Sequence, residues 1–410
     1  MSKLDELIRE LCPDGVEYKK LGEIATISRG GNFQKKDFLT EGVPCIHYGQ
    51  IYTKYGLFAD KTFTFISEEC AKKQKMAQPN DIVMAVTSEN IEDVCKCLAW
   101  LGDEPAAISG HSAIIHHNQN AKYLVYYFHS QMFFAQKRKL AHGTKVIEVT
   151  PDALVDIALP VPPIEIQCEI VRILDNFTNL TAELTAELTA RKTQYAYYRD
   201  NLLTTKPQWN HVKILDMLSQ PITDGPHTTP QFVQNGVPFI SVDSIWDGKI
   251  HFEKRRGYIT EEFDEECCKK YKPQKNDVYM VKSGSTTGKV AFVDTDIRFN
   301  IWSPLAAMRV NEKNSARFLF YLLQTERVQK QVKAKSSHGS QPNLGMRELE
   351  QFEVDIPPLD VQNRIVNVLD NFEKICSDLN IGLPAEIEAR QKQYEYYRDK
   401  LLTFKEVAAT

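Results

Sequence analysis

Two stretches of the chain decide its organisation, because one nearly repeats the other. The first reads Val161-Pro-Pro-Ile-Glu-Ile-Gln-Cys-Glu-Ile-Val-Arg-Ile-Leu-Asp-Asn-Phe177, and the second reads Ile356-Pro-Pro-Leu-Asp-Val-Gln-Asn-Arg-Ile-Val-Asn-Val-Leu-Asp-Asn-Phe372, with nine of 17 positions identical. A further pair, 194–204 and 393–403, matches at nine of 11 positions. The offsets of 195 and 199 residues predict a tandem duplication, in which each copy is a globular lobe followed by a helical part.

The helical parts carry apolar residues at helical spacing. Each Pro-Pro pair favours a helix start, and the first copy then predicts one helix from Ile164 to Leu203. The second copy is interrupted at Gly382-Leu-Pro384. Within the first helix, the tandem Thr181-Ala-Glu-Leu-Thr-Ala-Glu-Leu188 predicts a spacer with Thr181, Leu184, Thr185 and Leu188 as its repeated positions. We expect an antiparallel pair of long helices, a coiled-coil spacer, to hold the two lobes apart.

The lobes themselves predict an α+β fold class with two mixed α/β domains. Strand-like runs at 81–86 and 277–281 occupy matching positions in the two copies, and one amphipathic helix is predicted near the end of each lobe, over 121–141 and 316–336. The predicted domains are lobes at 1–158 and 207–353 and helical segments at 159–206 and 354–410.

Composition narrows the class of protein. The chain has 410 residues, of which 42% are hydrophobic and 25% charged, and this is ordinary for a globular protein. It contains no run of about 18 apolar residues and no apolar signal segment at its N-terminus, which predicts a cytoplasmic protein without a membrane span. Nine cysteines without a C-x-x-C pair argue against a disulfide framework and a zinc finger. The net charge of −4 requires any nucleic-acid binding surface to be a local basic cluster.

Polar, basic and glycine-containing loops recur at corresponding places in the two lobes. Such loops suit hydrogen bonding to phosphates and base edges, although single loops of this kind are often plain turns. The residues that we predict to contact DNA are Arg29, Asn32, Lys35, Lys36, Ser88, Asn90, His142, Thr144 and Lys145 in the first lobe, and His227, Thr228, Thr229, Lys282, Ser283, Ser285, Thr286, Lys289, His338, Ser340 and Gln341 in the second.

The chain lacks a convincing catalytic motif. The segment Ser283-Gly-Ser-Thr-Thr-Gly-Lys289 resembles a P-loop, but the first glycine position is serine and Val290 follows the lysine. No G-x-G-x-x-G motif follows a predicted strand, and no metal-ligand spacing is present, so the sequence predicts neither a catalytic residue nor a metal site.

Two divergent lobes with two similar helical parts resemble the specificity (S) subunits of type I restriction–modification systems, and the tetrapeptide tandem resembles their IC subfamily. The residues that carry this resemblance are the two Pro-Pro-x-x-x-Gln-x-x-Ile-Val-x-x-Leu-Asp-Asn-Phe stretches and the two Gln-Tyr-x-Tyr-Tyr-Arg-Asp-x-Leu-Leu stretches. The resemblance implies a non-catalytic subunit in which each lobe is a target recognition domain that reads one half of a bipartite double-stranded DNA site.

The resemblance also implies partners. The helices would dock two methyltransferase (M) subunits, and restriction (R) subunits would join them. S-adenosylmethionine, ATP and Mg are then expected on the partner subunits, with no cofactor in this chain. The predicted M-subunit interface is Tyr195, Tyr198, Arg199, Leu202, Tyr394, Tyr397, Arg398 and Leu401. Alternatively, these tyrosines pack against the chain's own helices.

From the residues themselves, two function classes remain. The chain is either a DNA-reading subunit or a coiled-coil scaffold whose lobes bind proteins or small ligands. Salt-dependent DNA binding would distinguish them, because contacts to phosphates release counterions. An enzyme would need a site that no motif indicates.

Overall fold

The computed structural model describes residues 2–204, 206–337, 341–377 and 382–407 as an α+β protein with two compact units. Unit 1 comprises Met1–Thr185 and Glu386–Thr410, and unit 2 comprises Ala186–Ala385. Each unit therefore combines one lobe with parts of two helical segments. The four-segment division at 158, 206 and 353 stays a prediction.

The first lobe contains short helices and strands, and a long helix follows it. The helices are α1 (Lys3–Leu11), α2 (Leu21–Ile24), α3 (Tyr48–Thr53), α4 (Glu68–Ala71), α5 (Ala121–Phe128), α6 (Gln131–Leu140), α7 (Pro151–Leu154) and α8 (Ile164–Leu202). The strands are β1 (Tyr18–Lys20), β2 (Ala25–Arg29), β3 (Val43–Ile46), β4 (Phe58–Ala59), β5 (Thr64–Ile66), β6 (Lys75–Ala77), β7 (Ile82–Ala85), β8 (Thr87–Ser88), β9 (Cys97–Trp100), β10 (Ala106–Ile108), β11 (Ser112–His117), β12 (Ile147–Glu148) and β13 (Ala158–Pro160).

The second lobe repeats this composition and is followed by two helices. Its strands are β14 (Asn210–Lys213), β15 (Thr223–Asp224), β16 (Val237–Ile240), β17 (Ile245–Trp246), β18 (Lys249–Ile250), β19 (Gly257–Ile259), β20 (Val278–Val281), β21 (Val290–Phe292), β22 (Asn300–Ile301), β23 (Leu305–Met308) and β24 (Glu353–Ile356). The helices are α9 (Ile214–Met217), α10 (Glu261–Lys270), α11 (Ala316–Leu323), α12 (Glu326–Lys335), α13 (Met346–Glu350), α14 (Leu359–Ser377) and α15 (Leu383–Leu401).

Corresponding sheets of the two lobes share one strand pattern. In unit 1 the larger sheet has the order β2-β11-β7-β9-β4, and in unit 2 the order is β15-β23-β20-β21. A second sheet pairs β3 with β10 in parallel in unit 1, and β16 with β22 in parallel in unit 2. The strand-like runs predicted at 81–86 and 277–281 are strands β7 and β20, buried along their whole length.

The long helices are confirmed, whereas each predicted lobe helix is in fact two helices. Helix α8 covers 39 residues, α14 ends at Ser377, and α15 begins at Leu383, inside the predicted interruption Gly382-Leu-Pro384. The prediction of single helices over 121–141 and 316–336 was wrong. Ser130 and Thr325 accept hydrogen bonds from the backbone N–H groups of Phe133 and Val328, and each thereby caps a new helix, α6 or α12.

The repeated glutamine fastens each long helix to its own lobe. The Gln167 side chain accepts a hydrogen bond from the Asn120 backbone N–H at 3.0 Å and donates one to the Pro162 carbonyl at 2.8 Å. In unit 2, Gln362 makes the equivalent bonds to Ser315 at 2.9 Å and to Pro357 at 2.9 Å. Both glutamines are buried, so these bonds satisfy polar groups that water cannot reach.

The repeated aspartate makes a second attachment in each unit. The hydroxyl of Tyr126 on α5 donates to Asp175 at 2.7 Å, and the hydroxyl of Tyr321 on α11 donates to Asp370 at 2.5 Å. Around these bonds, apolar residues of the lobe and of its helical segments form one continuous core in each unit. The repeated sequence is therefore explained largely by contacts inside each unit.

Candidate nucleic-acid interface

Three predicted DNA-contacting residues of the first lobe lie near strand β12, which contains Glu148. The Arg29 guanidinium forms an ion pair with Glu148 at 2.7 Å and donates a second bond to the Gly110 carbonyl at 2.8 Å. Glu148 belongs to β12, which pairs with the strand that contains Ser88. His142 forms a backbone bridge to Glu148. The strand pairing thus brings residues from three separate loops to one edge of the lobe.

Beside this edge lies a group of ring side chains that the sequence analysis did not select. The ring centroids of Tyr48 and His111 are 4.9 Å apart, and those of His47 and Tyr48 are 4.6 Å apart. The His111 ring is exposed and lies 3.2 Å from the Thr87 hydroxyl. Burial, followed by the charges of Lys35 and His111, lowers the pKa of His47. Single rings at strand ends carry no periodic signal, so the sequence did not indicate them.

The other predicted residues of the first lobe are exposed on neighbouring loops. Lys35 and Lys36 lie in a short 3-10 turn, Lys35–Asp37. Asn90 donates to Asp93 at 2.9 Å, which accounts for its side chain as part of a local turn. The remaining exposed residues are Asn32, Thr144 and Lys145.

In the second lobe, two predicted residues meet at a buried carboxylate. Asp224 at the end of β15 is 1% exposed, and its oxygens lie 3.2 Å from the Lys282 ammonium and 3.4 Å from His227 Nε2. Lys270 on α10 forms a third ion pair with Asp224, at 2.5 Å. Burial raises the pKa of Asp224, but the hydrogen bonds and charges of Lys270 and Lys282 outweigh it, so its pKa lies below the usual value. Lys270 was missed, because a lysine at a helix end is typical of any helix.

The loop that follows Lys282 is hydrogen-bonded to residues 342 and 343, which come just after the undescribed residues 338–340. Ser283 forms a backbone bridge to Asn343, and the Gly284 N–H donates to the Pro342 carbonyl at 3.0 Å. The predicted residues Ser285 and Gln341 are exposed there, Thr286 is half-buried, and Thr228 and Thr229 are exposed on the loop after β15. The predicted residues His338 and Ser340 lie outside the described residues.

The backbone of Lys289 lies beside that of the Lys282 segment, because the Lys289 carbonyl accepts a hydrogen bond from the Val281 N–H at 2.8 Å. Lys289 lines a groove of about 390 Å³ together with Tyr195, Trp246 and Glu373, beside the part of α8 that belongs to unit 2. Its side chain is exposed. The assignment of Lys289 to the DNA-contacting residues stays a prediction.

The predicted M-subunit interface packs largely inside the two units. Tyr198 stacks on Phe372 with ring centroids 5.6 Å apart, and Tyr397 stacks on Phe177 at 5.4 Å. The side chains of the two repeated arginines are only 14% and 8% exposed and pair with the next residue in the chain, an aspartate. The partly or fully buried members of this set are Tyr195, Leu202, Tyr394, Tyr397 and Leu401, together with Arg199 and Arg398, whereas Tyr198 is 41% exposed. These contacts favour the alternative that the tyrosines pack against the chain's own helices.

One repeated tyrosine of each unit does point outward. Tyr197 is 65% exposed and Tyr396 is 62% exposed, although each carries a large apolar ring. The repeated asparagines Asn176 and Asn371 are also exposed. Internal packing explains why buried residues are repeated, but it does not explain why these exposed residues are repeated. These positions are therefore the better candidates for a partner surface.

The described part of the chain offers no metal centre and no membrane span. Within it, no group of three His, Cys, Asp or Glu side chains is placed to hold a metal ion. Its helices also lack the combination of length and apolar character that crossing a bilayer requires.

Comparison with known proteins identifies the class to which this fold and its two lobes belong. The type I restriction modification DNA specificity domain matches the chain twice, over residues 13–191 and 208–389. The chain therefore belongs to this family of specificity subunits, which are the non-catalytic DNA-recognition subunits of restriction–modification complexes.

Individual relatives agree with this assignment. The specificity subunit of the type I restriction enzyme EcoR124I/EcoR124II from Escherichia coli is 35% identical over 254 residues, which cover 60% of this chain and 61% of that protein. A putative type I specificity subunit from Haemophilus influenzae, S.HindORF215P, is 28% identical over 402 residues, 95% of this chain and 96% of that one.

Solved structures share the fold. A chain from work on complex assembly and conformational transition of a type I restriction–modification system matches with a TM-score of 0.65 at 16% identity, over 96% of this chain and 98% of that chain. The S subunit from M. genitalium matches with a TM-score of 0.51 at 12% identity, over 95% and 96%. At these identities the likeness concerns the fold alone.

Proposed function

We propose that each lobe of this chain reads one half of a bipartite double-stranded DNA site, and that the helical segments dock two methyltransferase subunits. Restriction subunits then join the complex that this chain forms with the methyltransferase subunits. S-adenosylmethionine, ATP and Mg then serve the partner subunits, and this chain supplies sequence recognition without a cofactor of its own. Its place of action is the cytoplasm, where the chromosome of a bacterial cell lies.

The observation that carries this proposal is a charge difference at one matched position. Arg29 pairs with Ala113 in the register of unit 1, and Asp224 pairs with Ala306 in unit 2. Ala113 and Ala306 in turn face Met84 and Met280, which the sequence repeat already aligns. The same point of the same sheet thus carries a half-exposed arginine in one lobe and, in the other, a buried aspartate that holds two lysines.

Such a difference on a retained scaffold suits two readers with different targets. Base edges in the major groove offer distinct patterns of donors and acceptors, so different half-sites need different side chains on a similar framework. A scaffold that bound two copies of one protein would favour matching lobe surfaces. The lobes differ at their loop residues, whereas the attachments through Gln167 and Gln362 are the same.

The experiment is methylome sequencing of cells that express this chain together with the neighbouring methyltransferase gene. We expect a split motif with methylated adenines that disappears when this gene is deleted. Exchanging the second lobe, residues 207–353, for that of a relative should change one half of the motif and leave the other half intact. A methyltransferase shown to be intact that produces no motif with this chain would contradict the proposal and favour the protein-binding scaffold.

A further inference from the structure

Asp224 is the centre of a charged cluster that extends to the surface of the second lobe. Its buried carboxylate bonds Lys270 at 2.5 Å and Lys282 at 3.2 Å. The Lys270 side chain is 53% exposed, whereas that of Lys282 is 13% exposed. One buried anion therefore fixes two ammonium groups, and one of them remains largely open to solvent.

A histidine adjoins the same carboxylate. The Ser303 hydroxyl lies 3.2 Å from Asp224 Oδ2 and 2.9 Å from His227 Nδ1. The His227 side chain is 73% exposed, so its ring is held at one end while most of its surface faces solvent. The cluster thus presents one ammonium and one imidazole at fixed positions.

An arginine stacked on a tryptophan is linked to the cluster through the chain, since Trp302 directly precedes Ser303. The Arg256 guanidinium lies 3.6 Å from the ring centroid of Trp302, the residue next to Ser303. The Trp302 ring packs against Phe239 at 6.3 Å, which anchors it in the lobe. Among the described residues, no carboxylate lies within 4.0 Å of the Arg256 guanidinium, in contrast to Arg298 and Arg309 of the same lobe. Stacking fixes the plane of the guanidinium and leaves its N–H donors available.

Backbone packing explains why these groups meet. Gly225 follows Asp224, and a Cβ at this position would lie 1.8 Å from the Ile301 carbonyl oxygen. Only glycine allows so close an approach. The approach places the loop with His227 against the segment with Trp302 and Ser303, where the Ser303 N–H donates to the Pro226 carbonyl at 3.2 Å.

The charged groups of this cluster carry more positive than negative charge. Lys270, Lys282 and Arg256 carry three positive charges, and Asp224 carries one negative charge. These four groups alone carry a net charge of +2, whereas the whole chain carries a net charge of −4. A positive surface with a preorganised planar donor is suited to duplex DNA, since ammonium groups bind phosphates and arginine bonds guanine O6 and N7 in pairs.

We propose that this cluster, Arg256, Trp302, His227, Lys270, Lys282 and Asp224, reads the half-site of the second lobe, with Arg256 contacting a guanine and Lys270 and His227 contacting phosphates. Asp224 is a positioning residue, because it acts through the two lysines. The inference rests on the proposed function and adds to it the residues and one base of the target.

The decisive variant is Arg256→Ala in the complex with the methyltransferase subunits. We expect discrimination at one guanine of one half-site to fall by about 10- to 100-fold, because a bidentate arginine–guanine contact accounts for roughly 1–3 kcal/mol. The other half-site should keep its full specificity. The matched control is Arg298→Ala, which removes a paired arginine from the same lobe and should leave the motif unchanged.

A second pair of variants tests the positioning role. Asp224→Asn and the surface double variant Lys270→Ala with His227→Ala should both weaken binding to the cognate duplex and lower the dependence of the affinity on salt concentration. If Asp224 had a purely structural role, Asp224→Asn would instead reduce the amount of folded protein, and recognition of both half-sites would fall equally.

The outcomes separate the two proposals. The inference would be overturned if Arg256→Ala recognised every base as the wild type does and the double variant kept the same salt dependence. In that case the bipartite motif of the wild type would still support the proposed function. A wild-type complex without any motif would overturn both.

Discussion

The Tyr397 ring stacks on the Phe177 ring with centroids 5.4 Å apart and an interplanar angle of 20°. Its counterpart in the other unit, Tyr198 on Phe372, has centroids 5.6 Å apart and an angle of 30°. Phe177 and Phe372 are the last residues of the first repeated stretch, and the tyrosines belong to the second. The two repeated stretches are therefore partners in space, one from each copy in each unit.

Removing either phenylalanine should destabilise its own unit. We expect Phe177→Ala and Phe372→Ala each to lower the free energy of unfolding by about 2 kcal/mol, because a half-buried ring and its stacking partner are lost. Urea unfolding followed by far-UV circular dichroism measures the change. Tyr197→Ala removes an exposed ring from the same helix and should cost less than about 1 kcal/mol. Equal losses in all three variants would argue against the stacked pairs as specific attachments.

The buried glutamines provide a second test of the attachment between helix and lobe. Gln167→Ala should cost about 1–3 kcal/mol, since it leaves the Asn120 N–H and the Pro162 carbonyl without their partner. Gln362→Ala should cost a similar amount in unit 2. The exposed Gln391 serves as the control position for the same substitution, measured by thermal unfolding. A loss below that of the control would contradict the role of the repeated glutamine.

Unit 1 should lose stability in mild acid because of His129. Burial, opposed by the hydrogen bond to the Val125 carbonyl and aided by the charges of Arg398, Lys96 and Lys137, lowers the pKa of His129 to about 4. The unfolded chain protonates this histidine near pH 6.5. The folded state binds fewer protons below that pH, so this stability is complete above about pH 6.5 and is lost as the pH falls toward 4.

The loss assigned to His129 should amount to about 1–2 kcal/mol between pH 7 and pH 5. Urea midpoints at the two pH values measure it, and His129→Gln should show a smaller drop than the wild type. Other groups titrate equally in both proteins, so the difference between the two drops isolates this histidine. An identical drop in the variant would refute the assignment.

The exposed tyrosines test where the methyltransferase subunits dock. We expect Tyr197→Ala with Tyr396→Ala to weaken assembly with the methyltransferase by about 10-fold or more while thermal stability stays near that of the wild type, because both rings are more than 60% exposed. Size-exclusion chromatography of the mixed subunits measures assembly. The matched variant, Tyr198→Ala with Tyr397→Ala, removes the rings that stack on Phe372 and Phe177 and should lower stability as well. Intact assembly of the Tyr197/Tyr396 variant would place the docking surface elsewhere.

The tetrapeptide tandem predicts how the DNA gap is set. The hydroxyl of Thr181 donates to the Phe177 carbonyl at 2.9 Å, and that of Thr185 to the Thr181 carbonyl at 2.7 Å, so both threonines fit within the continuous helix α8. Inserting one Thr-Ala-Glu-Leu adds about 6 Å and about 40° of helix, close to one base pair of about 3.4 Å and about 35°.

The insertion should therefore lengthen the unspecified gap by about one base pair and leave both half-sites unchanged. Methylome sequencing of the insertion variant reads the new motif directly. The control is substitution of Glu183 by Gln, which keeps the helix length and should keep the gap. Altered half-sites, or an unaltered gap after insertion, would count against the tandem as a spacer.

Sequence alone determined the duplication, the long helices with the start of α8, and the divergence of the lobes. Those features come from local patterns: proline at helix starts, apolar residues spaced along one helix face, and short sequences repeated at a fixed offset. The pattern did not reveal the helix breaks at Ser130 and Thr325. In the sequence, a hydroxyl residue that caps a new helix looks the same as a polar residue within one continuous amphipathic helix.

Only the tertiary structure decided which polar residues act together. His227 and Lys282 were chosen from their loops, but the sequence did not indicate that both contact Asp224, that Lys270 shares this carboxylate, or that Arg256 stacks on Trp302. Strand pairing between β15, β23 and β20 brings together positions that are tens of residues apart in sequence. A one-dimensional pattern records spacing along the chain, whereas a reading surface depends on register across the sheet and on which carboxylate is buried beneath the cations.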